Sequence, residues 1–358
     1  MPMNLSIHSN IRDYTASFED QAVFIDELAQ RPMACFVIDE NVWGYYSGTL
    51  LKNLPAKATI ILPINEERKS LETVQELYDR LVEFPAKRNL TLISFGGGIL
   101  EDITGFAAST IYRGINWIYV PTTLLAQADS CIGSKTSLNY RKYKNLIGTF
   151  FPPTHIHIYP AFLTTQLDSD FFSGFGEVIK LHLMGGESNF RDLVQLAPAI
   201  LERETTALVK VIHKSLNIKL SYMAGDEFDT GRRNLLNYGH DFGHALESTS
   251  NFDVPHGQAV VFGMLAANLI AQRRGLLTER IEREIDEMLL TPSLVVKPSP
   301  KALGAYGMVS AMKKDKKRTG DGLALIMMTG DFNFTRVNDL KEDEVASALD
   351  TLRTRLWA

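Results

Sequence analysis

The chain changes character part-way along, and that change limits its fold more than any other feature. Up to about residue 160, short apolar runs alternate with helical patterns. ACFVIDENV (34–42), ATIILPI (58–64), LTLISFGGG (90–98), NWIYVPTT (116–123) and THIHIY (154–159) read as strands. Between them, SLETVQELYDRLVEF (70–84) places apolar residues at helical spacing, opened by Ser70 with Glu72 in the first turn. Strands alternating with helices predict a parallel sheet with helices on its faces. From about residue 161 nearly every segment reads as helix, among them SGFGEVIKLHLMGG, GQAVVFGMLAANLIAQRRG and ERIEREIDEMLL. The expected architecture is an α/β domain over residues 1–162 followed by an all-α domain over 163–358, and 358 residues suffice for two domains. A cleft between two domains is a favoured place for a small-molecule site.

Composition removes several function classes. Apolar residues make up 45% and charged residues 22%, as in ordinary globular chains. A net charge of −5 gives no electrostatic case for nucleic acid, while local basic clusters still permit anionic small substrates. Cys35 and Cys131 lie in apolar surroundings without a CxxC pattern, which suits a reducing compartment. The N-terminal stretch MPMNLSIHSNIRDYTASF has neither a basic region nor an apolar one of the secretory kind. The longest apolar stretch, AVVFGMLAANLIA (259–271), is too short and interrupted to span a bilayer. The expectation is a cytoplasmic protein with neither nucleic acid nor membrane as partner.

Three groups of residues carry chemistry. GGGILED (96–102) follows a buried strand and precedes a helical segment. Backbone without Cβ lets a dinucleotide pyrophosphate approach next to a helix N-terminus, although Glu101 stands where GxGxxG needs its third glycine. A tight strand-to-helix turn is the plainer reading. DEN (39–41) and PTTLLAQAD (121–129) add polar groups at two other strand ends, where open α/β sheets bind nucleotides. The second group is GSKTSLNYRKYKN (133–145), with Arg113 upstream. It reads either as a solvated loop or as an anion site built from Lys, Arg and amide donors. KKDKKR (313–318) is a second basic run, of a kind that commonly faces solvent. The third group is RRNLLNYGHDFGHALE (232–247), in which His240 and His244 are one helical turn apart. With Glu177 and His256 they are the candidate metal ligands. Asp241 occupies the position where a zincin needs Glu, so a metalloprotease reading is poor. Two imidazoles and one carboxylate would leave an open position on a catalytic zinc. Spacing does not join residues so far apart in sequence, and a lone histidine is more often a satisfied core residue.

Taken together, the stretch 96–153, GFGEVIKLHLM, RRNLLNYGHDFGHALE, VPHGQAVVFGM and KKDKK resemble, in order, the sugar-phosphate cyclases, whose best-known member is 3-dehydroquinate synthase. The likeness covers roughly residues 35–320. It implies a dehydroquinate synthase-like fold, an NAD-binding α/β domain and an α-helical metal-binding domain, in a homodimer with a deep cleft. The implied metal ligands are Glu177, His240 and His256, holding zinc or cobalt. The implied NAD contacts are Asp39, Glu40 and Asn41, then Glu66 and Lys69, then Gly97, Gly98 and Asp102. They continue with Thr122, Thr123, Asp129, Lys144, and the FLTT segment from Phe162 to Thr165. The implied sugar-phosphate contacts are Arg113, supplied by the neighbouring subunit, with Lys135, Asn145, Lys180, Lys219, Arg233, Asn237, His244 and Lys316. Of these, His244, Lys135, Lys180 and Arg233 form the expected catalytic set together with Asp229. Glu101 stands where the family usually has glycine, Ser134 replaces the second glycine of a GGK, Asp229 stands where glutamate is usual, and KLHLMGG is unusual. These departures bear on which sugar phosphate is used.

The implied reaction oxidises a ring alcohol with NAD, eliminates phosphate, returns the hydride, and closes a carbocycle by intramolecular aldol addition. The product is that of a carbon–oxygen lyase acting on phosphates. Lys219 and Arg233 would meet a substrate carboxylate, which favours the shikimate-pathway heptulosonate phosphate. Two other enzymatic readings are a sibling cyclase acting on sedoheptulose 7-phosphate or glucose 6-phosphate, and an NAD- and metal-dependent polyol dehydrogenase. A non-enzymatic paralogue is the remaining alternative, and Glu177, His240 and His256 speak against it.

Overall fold

The computed structural model describes residues 3–85, 87–141, 143–313 and 322–357. It divides into two compact units, Met1–Gln166 and Leu167–Ala358. The sequence reading puts the boundary four residues earlier, at 162/163. The first unit keeps the FLTT segment because Thr165 Oγ1 lies 2.7 Å from Tyr46 Oη and Leu124 N donates to Gln166 Oε1 at 3.1 Å.

In the first unit the elements follow as β1 (Asn4–Ile7), β2 (Tyr14–Phe18), α1 (Val23–Ala29), β3 (Ala34–Asp39), α2 (Glu40–Tyr46), β4 (Thr59–Leu62), α3 (Leu71–Val82), β5 (Thr91–Gly96), α4 (Gly98–Thr110), β6 (Asn116–Pro121), β7 (Lys135–Tyr140), β8 (Tyr143–Phe150) and β9 (His155–Ile158). Seven strands form one sheet in the order β1-β2-β9-β6-β5-β3-β4. All neighbours run parallel except the antiparallel pair β1–β2. β3 and β5 are buried along nearly their whole length, as a sheet covered on both faces demands. Ser70 caps α3, accepting from Thr73 N, and its apolar stripe buries Val74, Leu77 and Leu81.

The strand in ACFVIDENV ends at Asp39, whose carboxylate accepts from Asn41 N at 2.9 Å and starts α2 at the polar end of the run. One detail differs from the sequence reading: the basic stretch 133–145 lies in a hairpin, β7–β8, rather than a loop.

The second unit contains α5 (Asp168–Met184), α6 (Glu187–Leu201), α7 (Thr205–Met223), α8 (His240–Thr249), α9 (His256–Arg273), α10 (Glu279–Ile285), α11 (Thr291–Ser293), α12 (Ala305–Lys313), β10 (Leu323–Met328), β11 (Phe334–Leu340) and α13 (Glu342–Trp357). It is helical, with one antiparallel hairpin, β10–β11. α9 is its centre: every residue from Gly257 to Ala271 is buried. Two glycines let its neighbours approach. A Cβ on Gly257 would lie 1.7 Å from Ser173 O of α5, and one on Gly263 would lie 1.8 Å from Gly239 O, just before α8. Among the described residues, no helix is long and apolar enough to cross a membrane.

Candidate active site

In the first unit, the ends of β6, β5 and β3 lie side by side at the carboxyl edge of the sheet, Gly96 beside Pro121 and Phe95 beside Ile38. Thr122 N donates to Gly96 O at 3.0 Å, continuing that alignment past the strands. Gly97 precedes α4 without a side-chain cap, so the helix start is open to an anion. Its Cβ would stand 3.1 Å from Thr123 Cγ2, and a Cβ on Gly98 would stand 3.3 Å from Ser130 Oγ. This backbone cradle, at the edge where open α/β sheets bind nucleotides, fits a pyrophosphate. Asp39 and Asn41 meet there in the α2 cap, with Asn41 Nδ2 3.1 Å from Asp39 Oδ1, and Glu40 is exposed beside them. Asp129 lies in the helical turn Ala126–Ser130 after β6, and Phe162 packs edge-on against Tyr46 at 5.1 Å.

Five of the expected contact residues in this unit belong to one polar network. Lys69 Nζ lies 2.6 Å from Asp102 Oδ2 and 2.6 Å from Asn145 Oδ1. Ser137 donates its N–H to Asp102 Oδ1 at 2.6 Å and its hydroxyl to Asn145 Oδ1 at 2.9 Å. Asn139 donates from Nδ2 to Glu66 Oε1 at 2.8 Å and accepts at Oδ1 from Asn145 N at 2.9 Å, while Lys144 Nζ stands 3.6 Å from Glu66 Oε1. Burial pushes the Asp102 carboxyl above its usual range, and Lys69 and Ser137 act in the opposite direction. The network thus joins NAD-type candidates to Asn145, read from sequence as a substrate contact. Asn139, which connects Glu66 to Asn145, escaped sequence reasoning because an amide in a basic run carries no distinct signal. Lys135 and Arg113 are both exposed, Arg113 at φ 63° in the turn after α4. Glu101, where glycine is usual, is buried and accepts from Ser130 Oγ at 2.6 Å.

The second unit brings together residues as far apart in sequence as Glu177 and His256. Glu177 on α5, His240 at the start of α8 and His256 at the start of α9 offer ligand atoms within 4.8 Å of one another. Glu177 Oε1 is 3.5 Å from His240 Nε2 and 3.2 Å from His256 Nε2. Lys180, one turn further along α5, reaches Glu177 Oε2 at 2.5 Å, and Glu177 is 1% exposed. Burial would raise the Glu177 carboxyl, but Lys180 and His256 outweigh it and hold it far below its usual range. His240 Nδ1 lies 3.2 Å from Tyr238 O, which leaves Nε2 for the cluster. His256 Nδ1 lies 3.3 Å from the buried Glu247 Oε2. Burial opposes charge on His256, yet Glu247 and Glu177 outweigh it and push the imidazole up to about 10. Carboxylates placed behind metal-bound imidazoles in this way fix ring orientation. Sequence reasoning passed over Glu247, although its spacing from His240 and His244 put it on the same helix face. His244 has its ring 5.3 Å from His240 and 6.0 Å from His256, and it forms a second possible triad with Glu247 and His256. A donor set of one buried carboxylate oxygen and two half-buried imidazole nitrogens fits a divalent cation.

The remaining candidates surround a turn. Arg233, 4% exposed, donates its N–H to Asp226 Oδ2 at 2.8 Å and its Nη1 to Glu227 O. Asp226 also accepts from Thr230 N and Gly231 N, and Asp229 lies in the turn at φ 59°. Asn237 Nδ2 donates to Asn234 O, and Arg336 of β11 donates to Asn234 Oδ1, so the hairpin braces this segment. Lys219 is buried on α7. Lys316 lies outside the described residues.

The first unit carries a glycine cradle that fits a nucleotide pyrophosphate, and the second a carboxylate–imidazole cluster that fits a divalent cation, the equipment of an enzyme using a nucleotide cofactor and a metal. Residues 59–173 match the family described as 3-dehydroquinate synthase N-terminal, and residues 174–318 match 3-dehydroquinate synthase C-terminal. The chain belongs to the 3-dehydroquinate synthase family. A relative named 3-dehydroquinate synthase from Campylobacter concisus is 34% identical over 352 residues, covering 98% of this chain and 99% of that one. One from Acidithiobacillus ferrooxidans is 38% identical over 321 residues, covering 88% and 87%. The solved structure of ValA, a 2-epi-5-epi-valiolone synthase from Streptomyces hygroscopicus subsp. jinggangensis with NAD+ and Zn2+ bound, superposes with a TM-score of 0.82 at 28% identity, covering 98% of this chain and 99% of that one.

Proposed function

We propose that the chain converts the heptulosonate phosphate of the shikimate pathway to 3-dehydroquinate, with NAD and zinc or cobalt, in the cytoplasm and as a homodimer. The observation that carries this reading is the convergence of Glu177, His240 and His256, backed by Glu247 and Lys180. When bound, NAD supplies a reversible hydride acceptor and the cation supplies Lewis acidity at the substrate alcohol. Glu177, His240 and His256 would hold the cation, Glu247 would orient His256, and Lys180 would keep Glu177 ionised. His244, one turn beyond His240, is the group assigned to move the proton. Gly97 and Gly98 would take the pyrophosphate, Asp39 the ribose, and Lys69 with Asp102 and Lys144 the rest of the cofactor's polar groups. Arg233 and Lys219 are buried cations suited to a substrate that carries both phosphate and carboxylate.

The test is direct. Purified protein with NAD, zinc or cobalt and the heptulosonate phosphate should release inorganic phosphate without accumulating NADH. Absence of phosphate release sinks the substrate assignment. Likeness to ValA favours a second reading, a sibling cyclase acting on sedoheptulose 7-phosphate; phosphate release from that sugar alone would establish it. Net NADH build-up on a simple polyol would instead indicate a dehydrogenase.

A further inference from the structure

The first unit holds a second meeting of imidazoles and a carboxylate, outside everything assigned above. His155 and His157 stand two apart on β9, so both project from the same face of the sheet. Ile156 and Ile158, between and after them, are fully buried on the other face. β2 runs parallel beside β9, with Ser17 opposite His157. Its continuation carries Glu19 two residues further, again on the histidine side. Glu19 Oε1 reaches His157 Nδ1 at 2.7 Å, and Ser17 Oγ lies 3.0 Å from His155 Nε2. The two rings are 4.3 Å apart, and Phe24 of α1 stacks on His157 at 4.9 Å and 12°.

We propose that Glu19, His155 and His157 form a second divalent-metal site, of the two-imidazole, one-carboxylate kind suited to zinc. Their ligand atoms lie within 4.8 Å of one another. A zinc ion with ligands at about 2.0–2.2 Å needs them about 3.4 Å apart, a change that side-chain rotation supplies. The Glu19–His157 hydrogen bond explains that pair alone. It does not explain why strand register delivers a second imidazole to the same point. Ser17 supplies the outer contact that fixes a ligand ring's plane, and Phe24 supports the other ring from its face. A cavity of about 500 Å³ adjoins both histidines, with Glu27 and Arg31 on its wall, and leaves the remaining coordination positions to water or a small anion. The site shares no residue with Glu177, His240 and His256.

Equilibrium dialysis against zinc alone, with metal analysis, tests the assignment on the full chain. Wild type should bind two zinc ions per chain, and the double variant His155→Asn with His157→Asn should bind one. Glu177→Gln should likewise retain one, held at Glu19, His155 and His157. Glu19→Gln, a near-isosteric change at a half-buried side chain, should also lose the second zinc. It serves where the double variant does not fold. One zinc per wild-type chain, or two retained in both Glu19→Gln and the double variant, would overturn the proposal. Phosphate release by Glu19→Gln should stay at the wild-type rate.

Discussion

At the scale of single residues, the two imidazole clusters behave differently because their surroundings differ. Glu247 stands behind His256 at 3.3 Å, and removing such a partner typically weakens metal binding about 10–100-fold. Glu247→Gln keeps the volume and loses the charge, so zinc affinity measured by chelator competition should fall by that factor while the circular dichroism spectrum is unchanged. An unaltered affinity would mean Glu247 does not orient His256. His155 has the opposite environment: burial, then the neighbouring His157, lowers its pKa to about 4 from an ordinary 6.5. In metal-free protein the unfolded chain therefore takes up the proton first as the solution is acidified. The associated stability is complete above about pH 6.5 and is lost as pH falls through the window down to about 4. Urea unfolding at pH 7 and pH 5, with chelator present, should show wild type losing more stability than His155→Gln. Equal losses would show that the His155 imidazole is not held neutral by the fold.

At the scale of elements, the close approach of α5, α8 and α9 is what turns distant residues into one cluster. Gly257→Ala would drive a Cβ to 1.7 Å from Ser173 O. Overpacking of this kind costs about 1–3 kcal/mol or more, and here it would also displace His256 from Glu177. The expected result is a lower urea midpoint together with weaker zinc binding. Wild-type values of both would mean that α5 and α9 are not so closely packed. This packing was only half legible beforehand. The cap and stripe of α3 and the continuous apolar strands β3 and β5 follow from periodicity. β7 did not, because its buried positions are Thr136 and Leu138 among charged and polar neighbours, and one apolar residue makes no alternation. β10, LALIMM, is a short unbroken apolar run, which has no period to distinguish strand from helix. The antiparallel strand β1 alternates too weakly, with Ile7 its one buried residue.

At the scale of the whole molecule, the switch from alternating strands to helices was legible because each unit satisfies its own burial pattern, one period at a time. The cluster of Glu177, His240 and His256 was legible through ordered motifs rather than spacing, since tertiary contact joins the three. What a single chain does not carry is the expected contribution of Arg113, which stands exposed in its own unit. If a homodimer places Arg113 of one subunit in the site of the other, two inactive variants should rescue each other. Arg113→Ala leaves its own Glu177–His240–His256 cluster intact, and His256→Ala leaves Arg113 intact. In a mixed dimer one of the two sites then has both an intact cluster and an arginine from its neighbour. Random reassociation of equal amounts should restore about a quarter of wild-type phosphate release, because half the dimers are mixed and half their sites are competent. If the arginine served its own subunit, every site in the mixture would lack one essential group, and reassociation would restore nothing.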